Sequence, residues 1–219
     1  MPYVAEARGE PALGLRERKK QRTRAMLIDA AVELCERQGF DRTTVDQIAA
    51  VADVSPRTFS RYFATKDAIG LALVDEVLDR TAFEMARQPR ELNHFVALHR
   101  AYVATANAAK VAPVGELSVE RLMCIARIVL SSPTLRQAAL EYRASAVDVE
   151  LATRMGTGLQ ERRLRLVSAV WGSIMMTALT DLAGECRDWS QVSIDDLLDR
   201  LEVTFAEFAS EISDVGQSA

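Results

Sequence analysis

The chain has 219 residues, of which 49% are hydrophobic and 26% charged, and Gly and Pro together account for only 16 of them. This composition is that of an ordinary globular protein and excludes extensive disorder. The longest wholly apolar stretches fall far short of the roughly 20 residues that cross a bilayer, and the N-terminus has no basic region followed by an apolar one. We therefore expect a cytoplasmic protein that does not associate with a membrane.

The charge is divided unevenly along the chain. The formal net charge is -4, yet residues 16–66 contain 11 Lys and Arg against 7 Asp and Glu, whereas residues 67–219 contain 15 against 22. An evenly spread negative charge would argue against nucleic-acid binding. This division instead predicts an N-terminal module that faces phosphate, attached to an acidic body.

The first predicted elements are a flexible tail and a long helix. Residues 1–15 contain two Pro and two Gly and show little periodicity, as expected of a tail. From Arg16, apolar residues recur at steps of three and four until Gly39, which is a stop signal. The first turns carry six Lys and Arg against a single Glu, which is unfavourable at the positive end of a helix dipole. Contact with phosphate explains this placement better than a solvated charged face does.

A short second helix and a tight turn follow. Thr44 and Gln47 have the spacing of a capping box, and the apolar residues after them share one face to about Ala52. Residues 53–54 are then left for a turn. This arrangement places a second short helix directly after the first one.

The third helix is predicted to begin at Ser55, which caps it. Pro56 occupies its first position, where the missing N–H costs nothing. Phe59 and Phe63 lie one turn apart and anchor the helix to the core. Its polar sides carry the residues that remain free to reach a ligand, which are Arg57, Thr58, Ser60, Arg61 and Tyr62.

The rest of the chain contains six more helical patterns. The first begins after Thr65 and ends near residues 88–89, and Pro and Gly divide the others, which span residues 91–109, 118–130, 134–155, 159–183 and 193–212. No alternating strand pattern of useful length appears. The predicted fold is therefore all-α, with an N-terminal three-helix helix-turn-helix module, a C-terminal helical bundle and about nine helices in total.

The two short helices have the order of a helix-turn-helix, whose second helix enters a major groove about 12 Å wide. Arg57 and Arg61 lie four residues apart on one face, where guanidinium groups can reach base edges, and Thr58 can contact a thymine methyl. We expect these three residues to determine sequence specificity. Further DNA contacts, mostly to phosphate, are predicted for Arg22, Arg24, Thr44, Ser55, Tyr62 and Lys66.

Residues 39–66, GFDRTTVDQIAAVADVSPRTFSRYFATK, closely resemble the signature of the tetracycline-repressor (TetR) family of bacterial regulators. The resemblance covers roughly residues 16–70. The family's usual turn glycine is Asp53 here, a mild departure because Asp tolerates left-handed backbone. The matching features are the aromatic Phe40, the Thr44 start, the Ile48-Ala49 pair, the Val54-Ser55 entry and the Tyr62-Phe63 exit before Lys66.

The resemblance implies a transcriptional regulator that acts as an all-helical homodimer. Residues 16–66 would bind a double-stranded DNA operator, and residues 67–219 would form the dimer interface and a pocket for a small apolar or amphipathic effector. The usual consequence is repression that the effector relieves. Such a dimer would place two reading helices about 34 to 36 Å apart on a near-palindromic operator.

The last two predicted helices are the candidates for the dimer interface. The first of them is apolar on several sides, so it must be covered from several directions. The second carries a regular apolar stripe opposite acidic residues. Both could pair with their copies in a four-helix interface, which the resemblance favours, or they could close the core of the protomer.

Large or polarizable side chains on the central helices are candidates for a pocket lining, because such linings adapt to varied ligands. His99, Tyr102 and Arg127 would be the polar groups that orient a ligand. Each candidate is equally compatible with plain core. The full set is Phe95, His99, Tyr102, Met123, Arg127, Trp171 and Met175.

The sequence supports neither a metal site nor a catalytic one. Cys35, Cys124 and Cys186 lie far apart within apolar patterns and match neither a disulfide framework nor a zinc spacing, so they are interpreted as buried small hydrophobes. His94 and His99 are five apart, a poor spacing for a shared metal. No nucleophile, base and orienting group can be assembled, and we predict no enzyme and no cofactor.

Two alternatives stay open at this point. A ligand-independent regulator would have a solid core in place of a cavity of roughly 300 Å³. An activator would use the same DNA-binding module. The sequence does not separate a repressor from an activator.

Overall fold

The computed structural model describes residues 14–113, 116–140, 144–185 and 189–217. These residues form ten α-helices and one short 3₁₀ turn, without a strand, which confirms the predicted all-α fold. The helices are α1 (Leu15–Gln38), α2 (Val45–Val51), α3 (Pro56–Tyr62), α4 (Lys66–Ala86), α5 (His94–Ala109), α6 (Val119–Ser131), α7 (Pro133–Leu140), α8 (Ala146–Met155), α9 (Arg162–Glu185) and α10 (Ile194–Gln217).

The single helix predicted over residues 134–155 is wrong, because this segment contains α7 and α8. Ser145 begins the new helix: its hydroxyl accepts the Asp148 N–H at 3.3 Å, and its own N–H donates to Asp148 Oδ2 at 2.8 Å. This capping box satisfies N–H groups that a continuous helix would have used internally.

The helix predicted from residue 91 begins at His94, because Asn93 Oδ1 accepts the Phe95 N–H at 2.9 Å and caps it there. At the N-terminus, Leu15 already belongs to α1. Gly14 precedes α1 directly, and residues 1–13 of the predicted tail, together with Cys186, lie outside the described residues.

The N-terminal helices share one hydrophobic core with part of the body. Leu27 and Ala31 of α1, Ile48 of α2 and Phe59 of α3 are at most 1% exposed. The same cluster continues into α4 and α6 through Ile69, Leu73, Cys124 and Ile128. Movements of the first three helices are therefore coupled by packing to α4 and α6.

The body has a second core in which α4, α5, α8, α9 and α10 meet. Its fully buried members include Met85, Leu98, Leu151 and Leu164. A third and smaller cluster joins α5, α6, α9 and α10 around Leu122. These helices enclose the cavity described below.

Helix α9 buries one side within the protomer. Leu164, Trp171 and Ala178 are buried, whereas Leu166 is 60% exposed. Judged by length and composition, α9 is also long and apolar enough to cross a membrane, and 28% of its most apolar window is buried; no other described helix passes that test. An apolar face of α9 therefore stays uncovered in a single chain.

Candidate nucleic-acid interface and ligand cavity

The N-terminus of α2 is built as the sequence predicts. The Gln47 N–H donates to Thr44 Oγ1 at 3.2 Å, and the Thr44 N–H donates to Gln47 Oε1 at 2.9 Å, which closes a capping box. Gln38 of α1 also donates to Gln47 Oε1 at 3.0 Å. Thr44 itself is exposed, so the start of α2 presents a hydroxyl and helix N–H groups to the solvent, an arrangement that suits a phosphate.

The turn between α2 and α3 depends on left-handed backbone at one residue. Asp53 has a φ of 52°, which makes it the one non-glycine residue with positive φ in the described chain. The Asp53 N–H donates to Ala50 O at 3.1 Å and the Val54 N–H donates to Ala49 O at 2.9 Å. The turn is therefore tight, and it sets the angle at which α3 leaves α2.

Helix α3 is anchored on one side and open on the other. Ser55 Oγ accepts the Thr58 N–H at 3.1 Å, with Pro56 next to it at the first helical position. Phe59 and Phe63 point into the core with ring centroids 5.9 Å apart. These contacts hold the helix by its apolar side, so the polar side is presented as a rigid surface.

The polar side of α3 carries the residues predicted to read base edges. Arg57 and Arg61 are exposed one turn apart, and Thr58 lies between them, partly covered. No described carboxylate lies within ion-pair distance of either guanidinium, so both charges are available to a partner. One open concave surface contains Ser55, Arg57, Thr58, Ser60 and Arg61.

The basic start of α1 lies beside the end of α3. The polar side chain of Thr23 on α1 lowers the pKa of Tyr62, and nearby Arg61 and Lys20 lower it further. The Arg24 guanidinium lies 5.3 Å from the Phe63 ring centroid. The structure thus brings Arg24, Tyr62 and Arg61 onto one continuous surface.

Lys66 has an internal partner that the sequence does not reveal. Its Nζ donates to Phe40 O at 2.8 Å and lies 4.5 Å from the centroid of the Phe40 ring. This contact joins the first residue of α4 to the loop after α1. Lys66 therefore has a structural role in addition to the phosphate contact predicted for it.

A cavity of about 240 Å³ lies in the body. Residues of α4 to α10 line it, and most of them are apolar. Three of the seven predicted pocket residues, Tyr102, Trp171 and Met175, belong to the lining. Burial raises the pKa of Tyr102, against a smaller opposing effect of Trp171, so its hydroxyl stays protonated and can donate a hydrogen bond.

Sequence reasoning missed the polar corner of this cavity. Asp148, at 6% exposure, accepts hydrogen bonds from Ser168 Oγ of α9 and from the N–H and hydroxyl of Ser145. All three residues line the cavity. The spacing of Ser145 and Asp148 is a capping-box signal of the same kind as Thr44 and Gln47, whereas a lone serine on apolar α9 carries no signal.

The other four predicted pocket residues lie outside the lining. The His99 ring stacks on Phe205 of α10 with centroids 4.5 Å apart, and Phe95 meets Phe208 edge-on at 5.1 Å. Met123 is buried in the third cluster. Arg127 lies beside Cys35 and Cys124 between α1 and α6.

One arginine joins α6 to two other helices. Arg121 donates from Nη1 to Asp29 of α1 at 2.9 Å, and from Nε and Nη2 to Glu76 of α4 at 3.1 Å and 2.9 Å. Its side chain is 13% exposed. Because α4 and α6 also line the cavity, Arg121 connects the cavity walls to the helix that carries the DNA-facing module.

Comparison with known proteins agrees with this architecture. The family model described as "Bacterial regulatory proteins, tetR family" matches residues 27–73. The HTH-type transcriptional regulator TcmR of Streptomyces glaucescens is 31% identical over 168 residues, which cover 74% of this chain and 73% of that protein.

A solved structure shares the fold. Thermus thermophilus FadR, a TetR family transcriptional repressor crystallised in complex with lauroyl-CoA, aligns with a TM-score of 0.52 at 22% identity, over 84% of this chain and 91% of that one. The matched family model includes all of the helix-turn-helix built from α2 and α3. The chain therefore belongs to the TetR family and is a DNA-binding transcriptional regulator.

Proposed function

We propose that the protein is a ligand-responsive repressor that binds a palindromic operator as a homodimer and is released by a small apolar or amphipathic molecule. In this proposal residues 16–66 form the DNA-binding domain and residues 67–219 form the effector-binding and dimerisation domain. The guanidinium groups of Arg57 and Arg61 are exposed, and neither has a described carboxylate within ion-pair distance, which supports the DNA-reading role of α3.

The observation that carries the effector response is the cavity of about 240 Å³, since a ligand-independent regulator needs no such space. Its largely apolar lining suits an apolar ligand. The hydroxyl of Tyr102 and the carboxylate of Asp148 supply polar contacts that would orient it. Because α4 and α6 both line the cavity and pack on α1, a ligand that displaces them would also move the DNA-binding domain.

The uncovered face of α9 supports a dimer through α9 and α10. Leu166 of α9 and Val203 of α10 are 60% and 50% exposed in the single chain. Pairing these two helices with their copies would bury both faces in a four-helix interface. The same pairing would set the spacing between the two reading helices.

The proposal is tested by a mobility-shift screen on DNA that flanks the protein's own coding region, with and without a library of small apolar molecules. We expect a specific complex at moderate salt, and we expect one class of molecule to dissociate it. A specific complex that no molecule affects would favour the ligand-independent regulator, and the absence of any specific complex would overturn the proposal.

A cavity-filling substitution tests the location of the effector. Ala138→Leu adds bulk to a residue that lines the cavity, so we expect unchanged operator affinity and a weaker effector response. Ala86→Leu at the exposed end of α4 is the matched control, and it should respond like the natural protein. Equal responses of both variants would contradict effector binding in this cavity.

Repression is tested separately in cells, with a reporter gene placed behind the identified operator. Loss of the protein should raise reporter expression, and the effector should raise it when the protein is present. Lower expression after loss of the protein would identify an activator.

A further inference from the structure

The cavity in the body contains a buried carboxylate. Asp148 of α8 is 6% exposed, and it is the one charged residue among the described residues of the lining. The ion pairs of the described residues do not include it. Since a charge is costly to remove from water, a buried carboxylate is usually paired with a cation. The lining therefore has a negative charge that a ligand could neutralise.

Three donors hold this carboxylate in place. The N–H and the hydroxyl of Ser145 donate to Oδ2 at 2.8 Å and 2.7 Å, and Ser168 of α9 donates to Oδ1. Asp148 also lies in the first turn of α8, where the helix dipole favours a negative charge. An ionised carboxylate offers about four acceptor positions. The cap uses Oδ2, so the Oδ1 side has room for one more donor.

The same corner of the cavity contains a donor that lacks an acceptor. Trp171 is 3% exposed and lines the cavity, and its indole N–H is buried without a hydrogen-bond partner among the described residues. It follows Ser168 by three residues, about 4.5 Å along the axis of α9, so both lie on the same side of that helix. Buried donors are normally paired. The free N–H therefore predicts an acceptor atom on the molecule that fills the cavity.

The remaining surfaces of the cavity favour a compact cation over an anion. Tyr102 and Trp171 lie together with ring centroids 5.4 Å apart, and aromatic faces attract cations. The volume of about 240 Å³ is close to the lower end of ligand sites, roughly 300 Å³. An anionic ligand would bring a second negative charge to Asp148 in surroundings of low dielectric, where repulsion is strong. The acidic body, with 15 Lys and Arg against 22 Asp and Glu in residues 67–219, repels anions as well.

We propose that the effector is a compact lipophilic amine, bound as its cation, with an oxygen acceptor a few bonds from the nitrogen. The ammonium group donates to Asp148, the oxygen accepts the indole N–H of Trp171, and the apolar body occupies the rest of the cavity. This assignment rests on the effector role of the cavity proposed above and specifies its ligand. It excludes carboxylates and phosphates as effectors.

The first experiment measures binding of three probes to the full-length natural protein without DNA, by isothermal titration calorimetry. Phenylbutylamine, phenylbutanol and phenylbutyrate share one apolar body and carry a positive, a neutral and a negative group at neutral pH. We expect the amine to bind about tenfold or more tightly than the alcohol, as for a hydrogen bond to a charged group, and the carboxylate to bind most weakly. Equal affinities of amine and alcohol, tightest binding of the carboxylate, or no binding of any probe would overturn the proposal.

Asp148→Asn tests the contact with the carboxylate. The variant keeps the size of the side chain and an acceptor oxygen, so we expect about tenfold weaker binding of the amine and unchanged binding of the alcohol. The alcohol also reports that the variant is folded. Glu150→Gln is the matched control, because it removes the same charge from α8 outside the lining. An equal loss of amine affinity in both variants would overturn the assignment to Asp148.

The oxygen acceptor is tested with phenoxypropylamine, in which an ether oxygen replaces one methylene of phenylbutylamine. The natural protein should bind the ether several-fold more tightly, and Trp171→Phe should remove that advantage. Trp189→Phe is the matched control, since its indole N–H is also buried without a described partner but Trp189 lies outside the lining. Equal affinities of the two amines for the natural protein would remove the oxygen from the proposal.

A mobility-shift assay with phenylbutylamine separates the ligand class from the proposed function. We expect the amine to weaken operator binding by about tenfold, a usual size for coupling between two sites, and the Asp148→Asn variant to respond less. An amine that binds as expected and leaves operator binding unchanged would count against the proposed function alone. An operator complex that phenylbutyrate dissociates and the amine does not would overturn the ligand class.

Discussion

Arg57 and Arg22 carry the same charge at different places on the DNA-facing surface. Arg57 is held on the exposed side of the anchored helix α3, where it can read a base edge, whereas Arg22 lies on the basic start of α1. We expect Arg57→Ala to weaken binding to the best operator by about 1–3 kcal/mol and to relax preference at one base position. Arg22→Ala should weaken binding to all sequences alike. It should also reduce the slope of log affinity against log salt concentration by about one, because one fewer counterion is released.

Binding assays on an operator library at several salt concentrations separate these two effects. Arg57→Lys is the matched control, since it keeps the charge and loses the planar fork. An unchanged base preference in Arg57→Ala, or a changed one in Arg22→Ala, would contradict the division between base readout and phosphate contact.

Asp53 occupies a backbone conformation that suits glycine, with a φ of 52°. Asp53→Gly should therefore stay within about 1 kcal/mol of the natural protein in its free energy of unfolding. Asp53→Val should lose about 1–2 kcal/mol or more, because its branched side chain resists left-handed backbone. Urea denaturation measures both variants, and equal stabilities would indicate that the turn has another conformation in solution.

Individual cap residues could be predicted well from the sequence. The contacts of charged side chains with distant residues, including those at the cavity, could not. Thr44, Ser55 and Pro56 act on atoms within three or four residues of themselves, so the sequence contains the whole interaction. Lys66 meets Phe40 and Asp148 meets Ser168 only after helices pack together. Asn93 and Ser145 show that a local cap is also easily overlooked inside a periodic pattern.

At the scale of helices, the contact between α5 and α10 contains a titratable group. Burial lowers the pKa of His99, Arg100 lowers it too, and Glu202, whose Oε2 lies 2.9 Å from Nε2, opposes that effect. A histidine whose pKa is lowered by folding binds a proton at a higher pH in the unfolded chain than in the folded one. Protonation therefore favours unfolding. We expect the free energy of unfolding to fall as the pH drops below about 6.5, the ordinary histidine value.

Denaturation at pH values from neutral to mildly acidic tests this expectation. His99→Gln should reduce the pH dependence but not abolish it, because burial also lowers the pKa of His94. A pH dependence as large in the variant as in the natural protein would show that His99 is not the group responsible.

Periodicity separated the helices wherever Pro or Gly divides the chain, although α5 begins three residues later than predicted and α10 extends five residues further. It failed between α7 and α8, where polar and apolar residues continue the helical pattern across the break. The capping box at Ser145 ends that continuity and positions Asp148 at the cavity. A break made by a cap rather than by a helix breaker is the kind that periodicity does not detect.

At the scale of the whole molecule, the exposed apolar face of α9 predicts an effect on assembly. Leu166→Arg would place a charge in the proposed dimer interface, so we expect a shift towards monomer and at least about a tenfold loss of operator affinity, since one copy contacts only half a site. Val149→Arg on α8 is the matched control, because Val149 is 52% exposed outside α9 and α10. Analytical ultracentrifugation measures the assembly.

A dimeric Leu166→Arg variant would contradict the proposed interface, and a monomeric Val149→Arg variant would move it to α8.

The sequence predicted that the helix over residues 159–183 is apolar on several sides. It could not place the cavity, because the lining comes from seven helices that are distant in the chain. Only three of the seven predicted pocket residues reached it for this reason.

The two ion pairs of Arg121 differ in their exposure to solvent. Asp29 is 62% exposed and Glu76 only 32%. Dissolved ions therefore screen the ion pair with Asp29 of α1 more than the ion pair with Glu76 of α4. High salt should therefore loosen the link between cavity and DNA-binding domain first. The ratio of operator affinities with and without effector should decline as ionic strength rises, even for an uncharged effector, and this regulator would then be a poorer switch in a salt-stressed cell.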